Sequence, residues 1–499
     1  MGSQGQAAPG GLGDADDAGG RAHFVFVPLM AQGHLIPAVD TALLLATHGA
    51  VCTIAATPAT AARVRPTVDS ARRSGLQIRL VEFPLDPAAG LPDGADNMDN
   101  VPPEHVGSYF AAVARLREPI ESYLRAHAPF PTCVVSDFIH PWTTVLAANL
   151  GVPRLSFFSM CAFCLLCQHN VERFGAYEGV ADDNEPVVVP GLEKRVVVTR
   201  SQAPGFFRES PAWKEFADYI ERARAEADGV IVNTFEEMEP EYVAGYAAAR
   251  KMKVWAVGPV SLYHQQRAAT LLAARGCATA AIEAGECLRW LDGKDPGSVV
   301  YVSFGSIAYA GAKQAVELGL GLEASGHPFI WVLRNADEYD AAAREFLGEL
   351  EARVAGRGLL VRGWAPQLLI LSHAAVGGFV THCGWNSTLE AVAAGLPVVT
   401  WPHFTDQFLN EKMAVEVLGI GVSVGVKERL IYQAVEKEIV VGRGVVEAAV
   451  RSVMGGGEEA EERRRRARAL AAKARVAMQK GGSSHGNLLD LVERFKAVS

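Results

Sequence analysis

Two strand-like runs joined through a helix constrain this chain more than any other feature. His23-Phe24-Val25-Phe26-Val27-Pro28 is followed by a turn, Leu29 to Gly33, with His34 directly after it. Pro37 suits the first turn of a helix, Ala38–Ala46 continue it with apolar spacing, and Gly49 ends it. Val51-Cys52-Thr53-Ile54-Ala55 then reads as a second strand. A tight hairpin can join only antiparallel neighbours, so a strand-helix-strand order means a parallel pair. The fold class expected is therefore α/β, doubly wound.

The same alternation runs on through strand-like segments at Ile78–Phe83, Cys133–Ser136, Arg154–Phe158 and Gly229–Asn233. It breaks near Val257-Gly258-Pro259, where a stretch rich in Ala, Gln and Arg lacks periodicity. It restarts with Ser298–Phe304, a helix over Ala312–Ala324, and strands at Pro328–Leu333, Leu359–Val361, Gly378–Thr381 and Pro397–Thr400. The organisation expected is a tail over 1–21, a domain over 22–258, a linker over 259–285, a second domain over 286–480, and a terminal helix over 481–499. Open sheets bind ligands at the carboxyl ends of their strands, so two such halves should share a cleft.

Bulk properties narrow the partners. A net charge of −9 offers no basic footprint for nucleic acid, and no run reaches the apolar length of a membrane helix. The stretch Met1–Arg21 lacks the apolar core of a secretory leader and reads as a disordered tail. With eight cysteines in 499 residues, this points to reduced thiols and a cytoplasmic protein. Cys161, Cys164 and Cys167 lie in an apolar segment without His or carboxylate neighbours, and are read as a buried helix face rather than a metal site. Arg463–Arg466, interspersed with glutamates, reads as a solvated helix face.

Two halves of this kind raise a nicotinamide-dependent dehydrogenase as one reading, but G-x-G-x-x-G is absent and Ala31-Gln32-Gly33-His34 follows the first strand instead. His34, on the loop after that strand, is a candidate general base; Asp137, at the end of another, can orient it. With no Ser or Cys nucleophile beside them, the pair suits deprotonation of a substrate hydroxyl. On the other half, Gly377–Thr381 reads as a strand, His382–Ser387 as a turn and Thr388–Ala394 as a helix. Such a junction is an anion site, because the first backbone N–H groups of a helix have no intrahelical partner. The competing reading is a capping box, Ser387 with Glu390, which needs no ligand.

The 44 positions from Trp364 to Gln407 resemble the signature box of plant family-1 UDP-dependent glycosyltransferases. Pro28–Pro37, Ser303-Phe304-Gly305-Ser306 and Gly481-Gly482-Ser483-Ser484 are similar to further motifs of that family. The resemblance implies the GT-B fold, with two Rossmann-like domains facing across a cleft and a C-terminal helix returning to the first. It implies that Trp364 stacks on uracil, with Ala365 beside it and Gln367 at the base edge. Ser306 and His382 would meet the phosphates together with the backbone of Asn386 and Ser387. Glu390 would take the ribose hydroxyls, and Trp385, Asp406 and Gln407 the sugar. Gln407 favours UDP-glucose as donor; His403, where the box more often has an aliphatic residue, would line the pocket wall. The implied reaction is inverting transfer with His34 and Asp137 as the catalytic pair, and no metal or other cofactor.

The acceptor implied is a small plant secondary metabolite, a flavonoid or other phenolic, with a terpenoid or hormone as the alternative. Phe138, Ile139, His140 and Trp142 either line an aromatic-accepting pocket or pack within the domain. A monomer is expected. A binding protein that keeps the nucleotide-sugar site without turnover is the contrasting class, and the intact His34 and Asp137 weigh against it.

Overall fold

Parallel strands are covered on both faces, which is why they read as apolar runs rather than alternating ones. All five residues of His23–Val27 and all six of Val51–Ala56 are buried. The computed structural model describes residues 20–203, 211–264, 275, 284–305, 311–334, 336–429 and 441–497. In chain order the first half contributes β1 (His23–Val27), β2 (Val51–Ala56), β3 (Ile78–Glu82), β4 (Cys133–Asp137) and β5 (Arg154–Phe158). A small antiparallel hairpin follows, β6 (Val187–Val188) and β7 (Val197–Val198), then β8 (Gly229–Val232) and β9 (Val254–Ala256). The first sheet is parallel, in the order β3-β2-β1-β4-β5-β8-β9.

The second half supplies β10 (Val299–Ser303), β11 (Phe329–Leu333), β12 (Gly358–Arg362), β13 (Val376–Thr381), β14 (Val398–Thr400) and β15 (Gly421–Ser423). These form a second parallel sheet ordered β12-β11-β10-β13-β14-β15. Each sheet reverses its strand order once, between β1 and β4 and between β10 and β13. Ligands of doubly wound sheets bind at such reversals, beyond the carboxyl ends of the strands. Those ends lead into His34, Asp137, Gly305 and His382, so the topology alone gathers the candidate residues. The strands β9 and β15 and the hairpin escaped the sequence reading, since two or three residues give no period to detect; β14, equally short, showed only within the run Pro397–Thr400.

The first helix corrects another expectation. It spans Gln32–Thr47, so His34 sits in its first turn rather than on a loop, and Pro37 lies inside it. Proline has no N–H, so the carbonyl four residues back, Gly33, loses its helical donor. That carbonyl instead accepts from the side chain of Asn386 in the other half.

The terminal helix, Ser483–Arg494, packs Leu488, Leu491 and Val492 into the core beneath the first sheet. Ser484 Oγ donates to the Gly258 carbonyl at 2.6 Å, and Trp255 Nε1 donates to Asp490 at 2.6 Å. The last helix thus packs on the first half. Arg463–Arg466 pair with glutamates three or four positions away on their own helix. Cys161, Cys164 and Cys167 are fully buried around the start of the helix Ala162–Arg173. No helix among the described residues is long and apolar enough to cross a membrane.

Candidate active site

His34 and Asp137 meet at the switch point of the first sheet. Nδ1 of His34 lies 2.7 Å from Oδ2 of Asp137, whose other oxygen accepts from the Ile139 N–H at 3.2 Å. The Asp137 side chain is fully buried while a quarter of His34 remains accessible, so the imidazole is the exposed member of the pair. Burial alone would depress the His34 pKa, but the charges of Asp137, Asp406 and Asp99 raise it above the ordinary histidine value. Burial would raise Asp137, and His34 outweighs it, holding the carboxyl below its usual range. With Nδ1–H given to Asp137, Nε2 is left as the acceptor, which is the tautomer a general base requires.

Around this pair the aromatic wall is narrower than the sequence allowed. Phe138 is partly exposed, 6.3 Å from His34 and stacked on Phe158 at 4.8 Å. Ile139, His140 and Trp142 are buried, and His140 reaches the Pro28 carbonyl at 3.2 Å. Desolvation takes His140 down to about 4, so it stays neutral. Of the four residues only Phe138 is placed to meet a ligand.

On the facing half the helix spans Trp385–Ala394 with Gly384 as its cap and no side-chain cap bond. Ser387 is therefore at the third helical position, and the capping box with Glu390 does not form. The first-turn N–H groups of Trp385, Asn386 and Ser387 are left pointing past β13, with the positive end of the helix dipole behind them. His382 is gripped by backbone: a Cβ on Gly305 or on Gly384 would run into its ring. Desolvation lowers its pKa to about 4, so it presents a neutral ring rather than a cation. Cys383 and Thr405 are held at positive φ, 65° and 55°, on the two loops flanking this helix start. For β-branched Thr405 that conformation is a genuine outlier, and such strain clusters at functional sites.

Asn386 and Trp385 lock this helix start against the opposite half. Asn386 Nδ2 donates to the Gly33 carbonyl, and its Oδ1 accepts from Asn233 Nδ2 at 3.3 Å. The Trp385 indole N–H donates to the Asn233 carbonyl at 2.7 Å. The Trp385 side chain is thus spent on the interface and cannot hold a sugar hydroxyl; only its backbone N–H remains for a ligand. Asn233 carried no signal beyond ending a strand. The lock places the helix N-terminus one residue from His34.

Trp364 is partly exposed, with the Arg334 guanidinium 5.5 Å from its ring centroid; among the described residues its indole N–H has no partner. Ala365 is buried beside it. Gln367 is engaged within its own half: its Nε2 donates to Ser387 Oγ at 3.1 Å and Glu390 Oε2 at 2.7 Å. Gln407 is buried, and its Oε1 accepts from the N–H of His403 and Phe404 at 2.8 and 3.1 Å, which leaves its amide N–H groups to donate. Asp406 is braced by Asn410 at 2.7 Å and Thr405 at 3.0 Å, and burial raises its pKa. His403 is buried against Phe304, with ring centroids 5.3 Å apart and its pKa depressed to about 3 by burial. Ser306 lies outside the described residues. The arrangement brings together a tunable base, a ring for stacking, a helix start for anions and carboxylate and amide groups for hydroxyls.

Residues 21–262 match the family model described as glycosyltransferase, N-terminal domain, and residues 276–436 match UDP-glucoronosyl and UDP-glucosyl transferase. UDP-glycosyltransferase 73E1 of Stevia rebaudiana is 46% identical over 478 residues, covering 94% of this chain and 95% of that protein. UDP-glycosyltransferase 73C3 of Arabidopsis thaliana is 45% identical over 477 residues, covering 94% and 95%. Among solved structures, Glycyrrhiza uralensis UGT73P12 complexed with glycyrrhetinic acid 3-O-monoglucuronide superposes with a TM-score of 0.87 at 38% identity, covering 95% of this chain and 96% of that one. Phytolacca americana UGT2, complexed with UDP-2fluoro-glucose and pterostilbene, gives a TM-score of 0.75 at 27% identity, with 95% and 99% covered.

Proposed function

The chain belongs to the plant UDP-glycosyltransferases, and on that footing we propose that it moves glucose from UDP-glucose to a hydroxyl of a small plant secondary metabolite, with inversion. The observation that carries this is the lock of Asn386 onto Gly33, because it holds an anion-binding helix start beside the His34–Asp137 pair. In the proposed step Nε2 of His34 takes the proton of the acceptor hydroxyl. The hydroxyl oxygen forms a bond to the anomeric carbon as the bond from that carbon to the UDP oxygen breaks. Negative charge growing on the leaving diphosphate would be met by the backbone N–H groups at the start of Trp385–Ala394, by His382 and by Ser306. Because those donors address the leaving charge, the proposal needs no metal or other cofactor. Trp364 would stack on uracil, Glu390 with Gln367 would hold the ribose, and Asp406 with the Gln407 amide would hold the sugar.

For the acceptor the reading is a phenolic, such as a flavonoid, supported by the Phe138 face stacked on Phe158 beside His34. A terpenoid is the second reading, favoured by the terpenoid glucuronide bound to the Glycyrrhiza relative. The cytoplasm is the compartment proposed, on the strength of seven cysteines that, among the described residues, are buried as free thiols. The test is incubation with UDP-glucose and a panel of phenolics and terpenoids, read as UDP release and a mass gain of one hexose. Release with neither class would refute the glucosyltransferase reading. Transfer from another UDP-sugar in place of UDP-glucose would refute the donor assignment alone.

A further inference from the structure

A buried chain of charge joins the two halves on the donor side, and its central residue belongs to neither sheet. Arg275 lies in the stretch between the halves and is 9% exposed. Its Nε and Nη2 donate to Asp40 Oδ2 at 2.9 and 2.7 Å, while its Nη1 donates to Glu390 Oε1 at 2.6 Å. Asp40 sits on the helix Gln32–Thr47 of the first half, 1% exposed, with its other oxygen 2.7 Å from His264 Nε2. Glu390 sits on the helix Trp385–Ala394 of the second half, 5% exposed, and its other oxygen accepts from Gln367 Nε2.

Two buried carboxylates, one from each half, thus share one guanidinium. A buried carboxylate without a partner is strongly unfavourable, and losing its countercharge typically costs several kcal/mol. Burial would push the Asp40 carboxyl up, but Arg275 and His264 hold it below its ordinary range. Arginine is suited to the place because its planar fork can address both acids with separate N–H groups. Glu390 is not exhausted by these contacts. An ionised carboxylate offers about four acceptor positions, and the two side-chain donors occupy one on each oxygen. One position on each oxygen is left, which fits the two hydroxyls of a ribose.

We propose that Arg275 is a positioning residue for the nucleotide: anchored on Asp40 of the opposite half, it fixes the Glu390 carboxylate that accepts from the ribose hydroxyls. This rests on the reading of Glu390 given under Proposed function. It adds that ribose recognition depends on a residue outside the signature stretch and on a countercharge across the cleft.

The test is calorimetric titration of the full chain with UDP and with 2′,3′-dideoxy-UDP, for wild type, Arg275→Gln, Arg275→Lys and Asp40→Asn. Wild type should prefer UDP by about tenfold or more, the effect of hydrogen bonds to a charged group. Arg275→Gln should bring that preference to within about threefold, while its affinity for the dideoxy nucleotide, which makes no call on Glu390, stays near wild type. Arg275→Lys should keep part of the preference, and Asp40→Asn should lose part of it. A wild-type chain with no preference would refute the reading of Glu390 itself. A wild-type preference that survives in Arg275→Gln would overturn the role of Arg275 and leave Glu390 standing. Tighter UDP binding in Arg275→Gln would also overturn it, by showing that the arginine competes with the ribose. Should Arg275→Gln fail to fold, an undiminished preference in both Arg275→Lys and Asp40→Asn overturns the proposal.

Discussion

Replacing Asp137 by Asn tests the catalytic pair through its acid–base behaviour rather than through rate alone. The substitution keeps the volume and leaves an oxygen for the Ile139 N–H, but removes the charge 2.7 Å from His34 Nδ1. A charge-assisted hydrogen bond of this kind is worth about 1.5–3 kcal/mol, and it favours the protonated imidazole. The direction follows from the sign. Burial lowers His34 and Asp137 leads the groups that raise it, so without Asp137 burial should dominate and the imidazole pKa should fall. Only the neutral ring can take a proton, so wild-type activity should rise with pH through the raised histidine pKa. In Asp137→Asn that acid limb of kcat/KM should move to lower pH. The plateau rate should also fall, by roughly 10- to 10²-fold, since the imidazolium formed in the step is no longer stabilised and the tautomer no longer fixed. The assay is UDP release across pH at subsaturating acceptor. An acid limb that coincides with wild type would refute the coupling, whatever happens to the rate.

Other perturbations separate the two walls of the cleft. His34→Ala should lower turnover by roughly 10²- to 10⁴-fold with UDP affinity unchanged, read by steady-state kinetics and calorimetry; near-wild-type glucosylation would remove His34 from the reaction. Trp364→Ala should weaken UDP binding by about 1–3 kcal/mol, the worth of a stacked base, while leaving the thermal midpoint near wild type because the ring is partly exposed. Asn386→Ala deprives the Gly33 carbonyl of the donor that replaces the missing Pro37 N–H. It should lower stability by about 1 kcal/mol in denaturant unfolding and lower turnover through looser placement of the helix start. Unchanged stability and unchanged turnover together would mean the lock is incidental.

The fold was legible where burial leaves a signature. Runs such as His23–Val27 and Cys133–Asp137 are apolar because both faces are covered, and the structure brings His34 and Asp137 at their ends within 2.7 Å of each other. Strands of three residues carry no period: Val254–Ala256 was invisible, and Val398–Thr400 showed only within the longer run Pro397–Thr400. At Ser387 local chemistry misled: S-x-x-E has the spacing of a cap, but the strand β13 delivers the chain so that Gly384 begins the helix. The least legible part was the contact between the halves. Asn233 meets Trp385 and Asn386 across about 150 residues of chain, and Arg275 meets Asp40 across 235 positions and Glu390 across 115. No pattern within a helix or strand can encode such pairings. The single hint was Asp40 itself, a charge on a helix whose neighbours Ala38, Val39, Ala42 and Leu43 are all core.

The anomeric configuration of the product tests directly whether His34 activates the acceptor for a single displacement. Glucose in UDP-glucose is α-linked, so one displacement, with His34 activating the acceptor opposite the departing UDP, must give a β-glucoside. Proton NMR of the purified product, or cleavage by a strictly β-selective glucosidase, reads this without reference to any mutant. A β-linked hexose on the acceptor hydroxyl is expected. An α-linked product would contradict it, since retention requires a second displacement or a front-face attack that this arrangement of base and leaving-group site does not provide.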